Sequence, residues 1–333
     1  MFGPTPFRDI FLVAGFELQE LRRSRRVLLA GALYMLVAAF GSYIFVDILT
    51  RVQPITNMAD AQRNRGPMLF GPGSANRQQP QPAPAAPATT STAPSQGKLF
   101  QRGSPFRGLL RDSVDGQAVL DFLVDKPALI LFHMLVSLSI LPLVTMLTSS
   151  ESISQEHQSR GVRFIALRTG RAEFVLGKVL GQAFTISLLT LLGGFVCMGM
   201  AAWRLQDFEF MPALSALILF WPRIVAYCVA YLGLAAMCSM NSSTPVASRI
   251  FSVIGLGSLF ILHHLCEVYL VGLDAASGEA RLLHAMDFLT PYSHEFALWY
   301  PDLPTYGGAM LALVFIGTFF TTIGLLIYRE RDL

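Results

Sequence analysis

Six stretches of this chain are long and apolar enough to cross a lipid bilayer. A transmembrane helix needs about 20 mostly apolar residues, because the hydrocarbon core is about 30 Å thick. Hydrophobic residues make up 53% of the sequence and charged residues only 14%, against roughly 25% charged residues in soluble domains. We therefore predict an all-α membrane protein. Its six transmembrane helices are placed at residues 27–49, 127–148, 182–203, 212–239, 249–271 and 305–328.

Basic residues collect at alternate ends of these spans. Lysine and arginine close to a span end resist translocation and so set the orientation of the chain. The residues that form the pattern are Arg22, Arg23, Arg25, Arg26, Arg160, Arg163, Arg168, Arg171, Lys178, Arg249, Arg329 and Arg331. The pattern predicts a cytoplasmic N-terminus at 1–26, a cytoplasmic segment at 149–181 and a cytoplasmic tail at 329–333. Residues 50–126 and 272–304 are predicted to be external.

The cytoplasmic N-terminus contains an amphipathic pattern. Phe11, Ala14, Leu18 and Leu21 recur at helical spacing, and Glu17 is among the polar residues between them. An apolar stripe with a basic flank is typical of a helix that lies in the membrane interface. The alternative is a plain extension of the first transmembrane helix.

The two large external regions differ in composition. Residues 66–106 are rich in Pro, Gln, Ala, Ser and Thr, a composition that predicts a disordered spacer with polyproline character. Apolar spacing from 107 to 126 predicts a short amphipathic helix that returns the chain to the membrane. Residues 272–304 are too polar to span and carry an aromatic belt, which predicts short re-entrant helices in the outer leaflet. The belt residues are Tyr292, Trp299, Tyr300 and Tyr306.

No motif in the chain predicts catalysis or nucleotide binding. Gly177-Lys178 is followed by Val179 and lacks the first glycine of a P-loop. We expect no cofactor in this chain, so any ATP and Mg²⁺ must be bound by a partner subunit. No basic stripe with interleaved aromatic residues is present, and we expect no nucleic-acid partner. Gly177-x-x-x-Gly181 permits close helix contact, either within the chain or between two copies.

Ionisable residues inside the spans are costly in lipid and are therefore candidates for function. His263, His264, Cys266 and Glu267 form a cluster with possible metal ligands, but H-E-x-x-H and a third well-placed ligand are absent. We expect interhelical hydrogen bonds there rather than a metal. Packing or interfacial roles are expected for His133 and Arg223.

The charged segment after the second span resembles a known family. Ser152-Ile153-Ser154-x-Glu156, then Gly161, then Arg171-x-Glu173-x-x-x-Gly177-Lys178 is similar to the coupling segment of ABC-2 type transporter permeases. In that family an Ile-Ser-x-Glu start leads to a Gly-Lys pair at the third span. The ending Tyr328-Arg329-Glu330-Arg331-Asp332-Leu333 also resembles the ending usual in the family.

This resemblance implies the membrane subunit of an ATP-binding-cassette transporter. Such a permease works as a homodimer or heterodimer in the bacterial inner membrane with a separate ATPase subunit. The family favours export of lipids, polysaccharides, drugs or ions. The resemblance implies that the ATPase binds a coupling helix within residues 151–178. The residues proposed to make this contact are Glu156, Arg160, Arg163, Arg168 and Arg171, whose arginines can also act as topological anchors.

Two other functions remain open from the sequence. The first is a non-transporting scaffold that anchors an envelope or motility complex. The second is an ion-coupled carrier that uses four residues in the spans, His133, Arg223, His263 and Glu267. Co-purification with an ATPase favours the transporter, and gradient-driven transport without an ATPase favours the carrier.

Overall fold

A computed structural model of the chain describes residues 6–64, 117–158, 170–205, 208–271, 273 and 277–330. These residues fold into α-helices with two short 3₁₀ turns, and the described part of the chain contains no strand. The helices are α1 (Pro6–Arg23), α2 (Arg25–Asn64), α3 (Gln117–Val124), α4 (Ala128–Ser149), α5 (Ser152–Gln158), α6 (Arg171–Arg204), α7 (Phe210–Asn241), α8 (Pro245–Leu270), α9 (Gly278–Phe288) and α10 (Leu303–Glu330). The 3₁₀ turns, Pro291–His294 and Phe296–Trp299, lie between α9 and α10.

Six helical stretches are long and apolar enough to span a membrane, which confirms the predicted all-helical class and number of spans. They are Arg25–Ile48, Ala128–Glu156, Arg171–Arg204, Phe210–Asn241, Pro245–Leu270 and Leu303–Glu330. Two helices extend beyond the predicted spans. The helix α2 continues to Asn64. The helix α6 begins at Arg171, so the polar residues before the predicted third span are already helical, and they pack against other helices.

The helix α7 is the centre of the bundle. It is apolar on all sides and packs against α10, α4, α6 and α8, as expected of a buried helix. Small residues let its neighbours approach closely. A Cβ atom on Gly233 would lie 2.0 Å from the carbonyl oxygen of Gly317 on α10. The two backbones therefore touch where these helices cross.

Other helices leave apolar side chains uncovered. On α8, Val246, Ile250 and Ile254 are all more than half exposed, and Leu29 and Leu33 of α2 are exposed too. Exposing such a surface to water would cost free energy, whereas its contact with lipid or with a second subunit carries no comparable free-energy cost. The outer faces of α2 and α8 are therefore suited to the hydrocarbon core.

The bundle has two chemically different ends. We call one the α5 end, where α5 lies beside the starts of α6 and α8 and the end of α7. We call the other the α9 end, where α9 and the 3₁₀ turns contact α8 and α10. Short helices are thus present in the region predicted to be re-entrant, while their depth in the bilayer stays a prediction. The predicted Pro-rich spacer at 66–106 lies outside the described residues.

Candidate functional site

The N-terminal helix α1 lies directly against the first turns of α6. Val13 and Ala14 of α1 are buried. Two glycines of α6 make room for them. A Cβ on Gly177 would lie 2.5 Å from the Cβ of Val13, and a Cβ on Gly181 would lie 2.9 Å from the Cβ of Glu17. The Gly177-x-x-x-Gly181 motif is therefore used for contact within the chain.

The face of α1 that packs on α6 combines residues from both sides of the predicted amphipathic pattern. Ala14 of the apolar stripe is buried, Phe11 of the same stripe is 69% exposed, and Glu17, which was placed among the polar residues, is only 4% exposed. The exposed face carries three aromatic side chains, Phe7, Phe11 and Phe16. This aromatic face is suited to the membrane interface, and Glu17 is buried because it has charged and polar partners on α6.

These partners form a cluster that we call the Lys178 junction, consisting of Lys178, Glu17, Gln182 and Glu156. The Nζ atom of Lys178 lies 2.6 Å from Oε2 of Glu17 and 2.7 Å from Oε1 of Glu156. The Nε2 atom of Gln182 donates to Oε1 of Glu17 at 3.1 Å. The Lys178 side chain is 3% exposed and that of Glu156 is 17% exposed. The junction joins α1, α5 and α6 through largely buried charges.

One ammonium group in this junction serves two carboxylates. A buried charge is tolerated only when it is paired and hydrogen-bonded. The nearby Glu20 on α1 responds to this environment. Burial raises the pKa of Glu20 above its ordinary value, Lys178 opposes the rise, and the negative charges of Glu17 and Glu156 add to it. Loss of Lys178 would therefore leave an excess of buried negative charge.

A second cluster holds the turn between α4 and α5. Glu151 forms ion pairs with Arg26 at the start of α2 and with Arg249 at the start of α8. The hydroxyl of Ser248 donates to the carbonyl oxygen of Ser150. We call Glu151, Arg26 and Arg249 the Glu151 cluster. It links the beginning of α5 to two further spans.

The first amides of α5 are capped by a side chain from another helix. The leading N–H groups of any helix lack partners within that helix. Here the Oγ atom of Ser239 on α7 accepts hydrogen bonds from the amides of Ile153 at 3.1 Å and Ser154 at 3.0 Å. Ser239 on α7 therefore accepts the hydrogen bonds that the side chain of an N-cap residue ordinarily accepts.

A cavity of about 500 Å³ lies between the Lys178 junction and the Glu151 cluster. Its charged lining residues are Glu17, Glu20, Arg25, Arg26, Glu151, Lys178 and Arg249. Cations and anions are nearly balanced in this lining. The α5 end therefore has an opening in which charged side chains lie next to the apolar bundle.

Arg171 connects the start of α6 to the end of α10. Its Nη1 atom donates to the carbonyl oxygen of Arg329 at 3.0 Å and to that of Tyr328 at 3.4 Å. The last carbonyls of a helix lack intrahelical donors and carry partial negative charge, so a guanidinium group is a favourable partner. Residues at the α5 end therefore also contact α10, the sixth span.

A family model described as ABC-2 family transporter protein matches residues 11–294. The matched range is most of the chain and includes both clusters at the α5 end. The chain belongs to the ABC-2 transporter family. Members of this family are membrane components of transporters and are not themselves catalytic. This chain is therefore a permease component of an ABC transporter. Membership of the family implies partnership with an ABC ATPase. A comparison with individual curated proteins found no match.

Two of the five residues predicted to contact the ATPase lie in the described part of this permease. Glu156 faces Lys178, and Arg171 binds the end of α10. Both therefore have contacts within the chain. Arg160, Arg163 and Arg168 lie outside the described residues. Contact of these five residues with the ATPase stays a prediction.

Sequence reasoning missed the partners that organise the permease at this end. Glu17 was placed among the polar residues of the interfacial helix, and Lys178 was treated as part of a family motif and as a topological charge. Their signal was weak but present. Lys178 sits inside the Gly177-x-x-x-Gly181 motif, so any helix packed against that motif must supply an acceptor for its ammonium group.

The residues considered for an ion-coupled carrier occupy different surroundings in the permease. His133 is buried with its Nδ1 atom 3.7 Å from the sulfur of Cys197. Arg223 is 1% exposed and donates to the carbonyl oxygens of Leu298 at 2.7 Å and Tyr300 at 3.1 Å. Arg223 therefore anchors the 3₁₀ turns of the α9 end to α7, which is the packing role expected for it.

Proposed function

We propose that this permease exports a substrate across the bacterial inner membrane, driven by a separate ATPase subunit that docks at the α5 end. The observation that carries the proposal is the Lys178 junction. Its buried charges join α5, which begins the predicted coupling segment, to α1 and α6. A partner that moves α5 would therefore move two other helices with it.

The attachments of α5 reach beyond these two helices. The Glu151 cluster adds α2 and α8, Ser239 adds α7, and Arg171 joins α6 to α10. Separating Glu151, which is 9% exposed, from its arginines would leave a buried carboxylate without a cation. Displacement of α5 is therefore expected to shift several spans together.

The charge distribution supports a cytoplasmic location of the α5 end. Basic residues at this end include Arg25, Arg26, Arg171, Lys178, Arg249 and Arg329. Basic residues beside spans favour the cytoplasmic side. Both termini would then be cytoplasmic, and the ATPase would meet α5 in the compartment that contains ATP. In this proposal ATP and Mg²⁺ are bound by the partner subunit.

The proposed assembly contains a second permease subunit, identical or different. The exposed apolar faces of α2 and α8 offer a surface for such a partner as well as for lipid. A transport path between two permeases would be opened by coordinated motion at their α5 ends. Export as the direction follows from the family resemblance described above.

The test is affinity purification of the permease from its native membrane in mild detergent. Glu156 and Arg171 are poor positions to alter first, because their loss also breaks contacts within the chain. The variant should instead carry Arg160→Glu, Arg163→Glu and Arg168→Glu. The matched control is Arg281→Glu, which reverses an exposed charge on α9 at the opposite end.

We expect an ABC ATPase to accompany the wild type and the Arg281→Glu control, with nucleotide turnover in the purified complex. The triple variant should recover at least about tenfold less ATPase. Recovery of no ATPase with the wild type would overturn the proposal and favour a scaffold. Equal recovery with the triple variant would place the docking site elsewhere.

A further inference from the structure

The α9 end carries a compact group of possible metal ligands near the end of α8. His263, His264 and Glu267 place one ligand atom each within 4.8 Å of the others. Sequence analysis expected hydrogen bonds here rather than a metal, because a third well-placed ligand was not evident. Cys266, which the sequence puts beside them, is 1% exposed and does not belong to the group.

We propose that His263, His264 and Glu267 bind one divalent cation with the preferences of Zn²⁺. The Nε2 atom of His263 lies 3.5 Å from Oε1 of Glu267, and the Nδ1 atom of His264 lies 3.4 Å from Oε2 of Glu267. Zinc–ligand distances of about 2.0–2.1 Å in a tetrahedral site place neighbouring ligand atoms about 3.4 Å apart. Each imidazole therefore already lies at about this spacing from one oxygen of Glu267, although the two distances end on different oxygens of that carboxylate.

The distance between the ligand atoms of the two histidines is no longer than 4.8 Å. It must shorten by up to about 1.4 Å for the same tetrahedral geometry. The side chain of His264 is 54% exposed and has room to rotate. The fourth position of the site would be open to water or another ligand, as in sites with three protein ligands.

A carboxylate behind His263 holds its ring in the orientation that a metal needs. The Nδ1 atom of His263 lies 2.8 Å from Oδ1 of Asp287 on α9. When Nδ1–H donates to this carboxylate, Nε2 keeps its lone pair and faces Glu267. The Thr290 hydroxyl donates to the backbone carbonyl oxygen of Asp287 at 2.7 Å and lies 3.3 Å from the same Oδ1 atom. Carboxylates in this position are typical outer partners of metal-binding histidines.

The site combines one buried ligand with two exposed ones. The side chain of His263 is 10% exposed, whereas that of Glu267 is 57% exposed. The ring of Phe260 packs edge-on against His264 with centroids 4.3 Å apart, and the ring of Tyr292 stacks on His263. Two imidazoles and one carboxylate suit Zn²⁺ better than Mg²⁺ or Ca²⁺, which prefer oxygen ligands.

Binding of the cation would strengthen the contact between α8 and α9. The ligands belong to α8, and the residue that orients His263 belongs to α9. A filled site would therefore hold the two elements together through Asp287. This inference does not depend on the ATPase partner or on the direction of transport.

The test uses the full-length protein with a tag that lacks histidines, stripped with EDTA and titrated with ZnCl₂ against a chromophoric chelator. We expect one equivalent of zinc per chain. Glu267→Gln and His264→Ala should abolish this equivalent, and both positions are exposed enough for the variants to fold. Asp287→Asn should weaken binding by roughly 10–100-fold.

The matched control is His284→Ala, which removes an exposed histidine from α9 outside the site and should retain the bound zinc. Replacement of zinc with Co²⁺ should give the intense visible absorption of a tetrahedral site, lost in Glu267→Gln. The proposal is wrong if the wild type binds no zinc. It is equally wrong if Glu267→Gln and His264→Ala bind as tightly as the wild type.

Discussion

The Nζ atom of Lys178 on α6 lies 2.6 Å from Oε2 of Glu17 on α1, and both side chains are at most 4% exposed. This contact turns a helix that the sequence places at the membrane surface into a fixed part of the bundle. Because Lys178 also contacts Glu156, one cation connects that helix with the beginning of the predicted coupling segment.

Replacing Lys178 by methionine should destabilise the protein strongly. The change keeps most of the side-chain volume but leaves Glu17 and Glu156 without their cation. Removal of one partner from a buried ion pair typically costs about 3–5 kcal/mol. The expected result is a clearly lower melting temperature of the purified protein in detergent.

The matched control for Lys178→Met is Arg204→Met at the other end of the same helix. Arg204 pairs with Asp47 at 3.5 Å, and both side chains are about one-third exposed. An exposed pair is typically worth at most about 1 kcal/mol. Similar losses for the two variants would contradict a special role of the Lys178 junction.

Ser239→Ala should loosen α5 while leaving most of the bundle unchanged. The variant removes the acceptor of two amide hydrogen bonds at the start of α5. Loss of an N-cap typically costs about 1 kcal/mol. Hydrogen–deuterium exchange should become faster at residues 152–156 in particular.

The control for this substitution is Ser139→Ala on α4. The Ser139 hydroxyl donates to the Leu135 carbonyl within its own helix, so its loss should change exchange in α5 little. Unchanged exchange at 152–156 in Ser239→Ala would show that the α7 side chain does not stabilise α5.

Gly233→Ala should disrupt the crossing of α7 and α10. The new Cβ would lie 2.0 Å from the carbonyl oxygen of Gly317, and neither backbone can move aside without displacing its neighbours. We expect a lower melting temperature and reduced recovery of folded protein. In Gly199→Ala, where nothing lies within 4 Å of the new Cβ, stability should be retained. Equal tolerance of both changes would argue against backbone contact at the crossing.

Glu295 should make stability depend on pH. It lies between the 3₁₀ turns and accepts a hydrogen bond from Tyr227 at 3.0 Å. Burial raises the pKa of Glu295 above its ordinary value of 4.5, while Tyr227 and the positive charge that His263 can carry act in the opposite direction. The folded state then binds more protons than the unfolded state between the ordinary and the raised pKa, so stability falls as pH rises through that interval.

The measurement is the melting temperature of wild type and Glu295→Gln across pH 4–8, with EDTA present to exclude metal at His263. The amide keeps an acceptor for Tyr227 but does not titrate. We expect the wild type to lose stability relative to Glu295→Gln as pH rises. A constant difference across the range would show that Glu295 does not titrate as its burial predicts.

The number and type of spans could be predicted from the sequence because the bilayer imposes a length and a composition on each helix. The packing role of Arg223 could be predicted for a related reason, since a guanidinium group inside a span must find acceptors. Its acceptors, Leu298 and Tyr300, could not be predicted, because they are backbone carbonyls 75 and 77 residues away.

The contacts at the α5 end were hidden for another reason. The apolar spacing of α1 predicted that Phe11 lies in the membrane interface and placed Glu17 among the polar residues. The spacing of apolar residues shows which side of a helix is apolar. It carries no information about which side chains a neighbouring helix presents. Once α6 presents Lys178 and two glycines, the face of α1 with Val13, Ala14 and Glu17 packs against it.

The separation of Glu17 and Lys178 along the chain has a consequence for biosynthesis. They are 161 residues apart, so at about 5–20 residues per second the ribosome needs on the order of 10–30 s to make Lys178 after Glu17. During that time Glu17 must stay in water or at the lipid headgroups. Its burial can begin only when α6 has entered the membrane in the correct direction. The docking of α1 is therefore a late step that requires correct insertion of the third span.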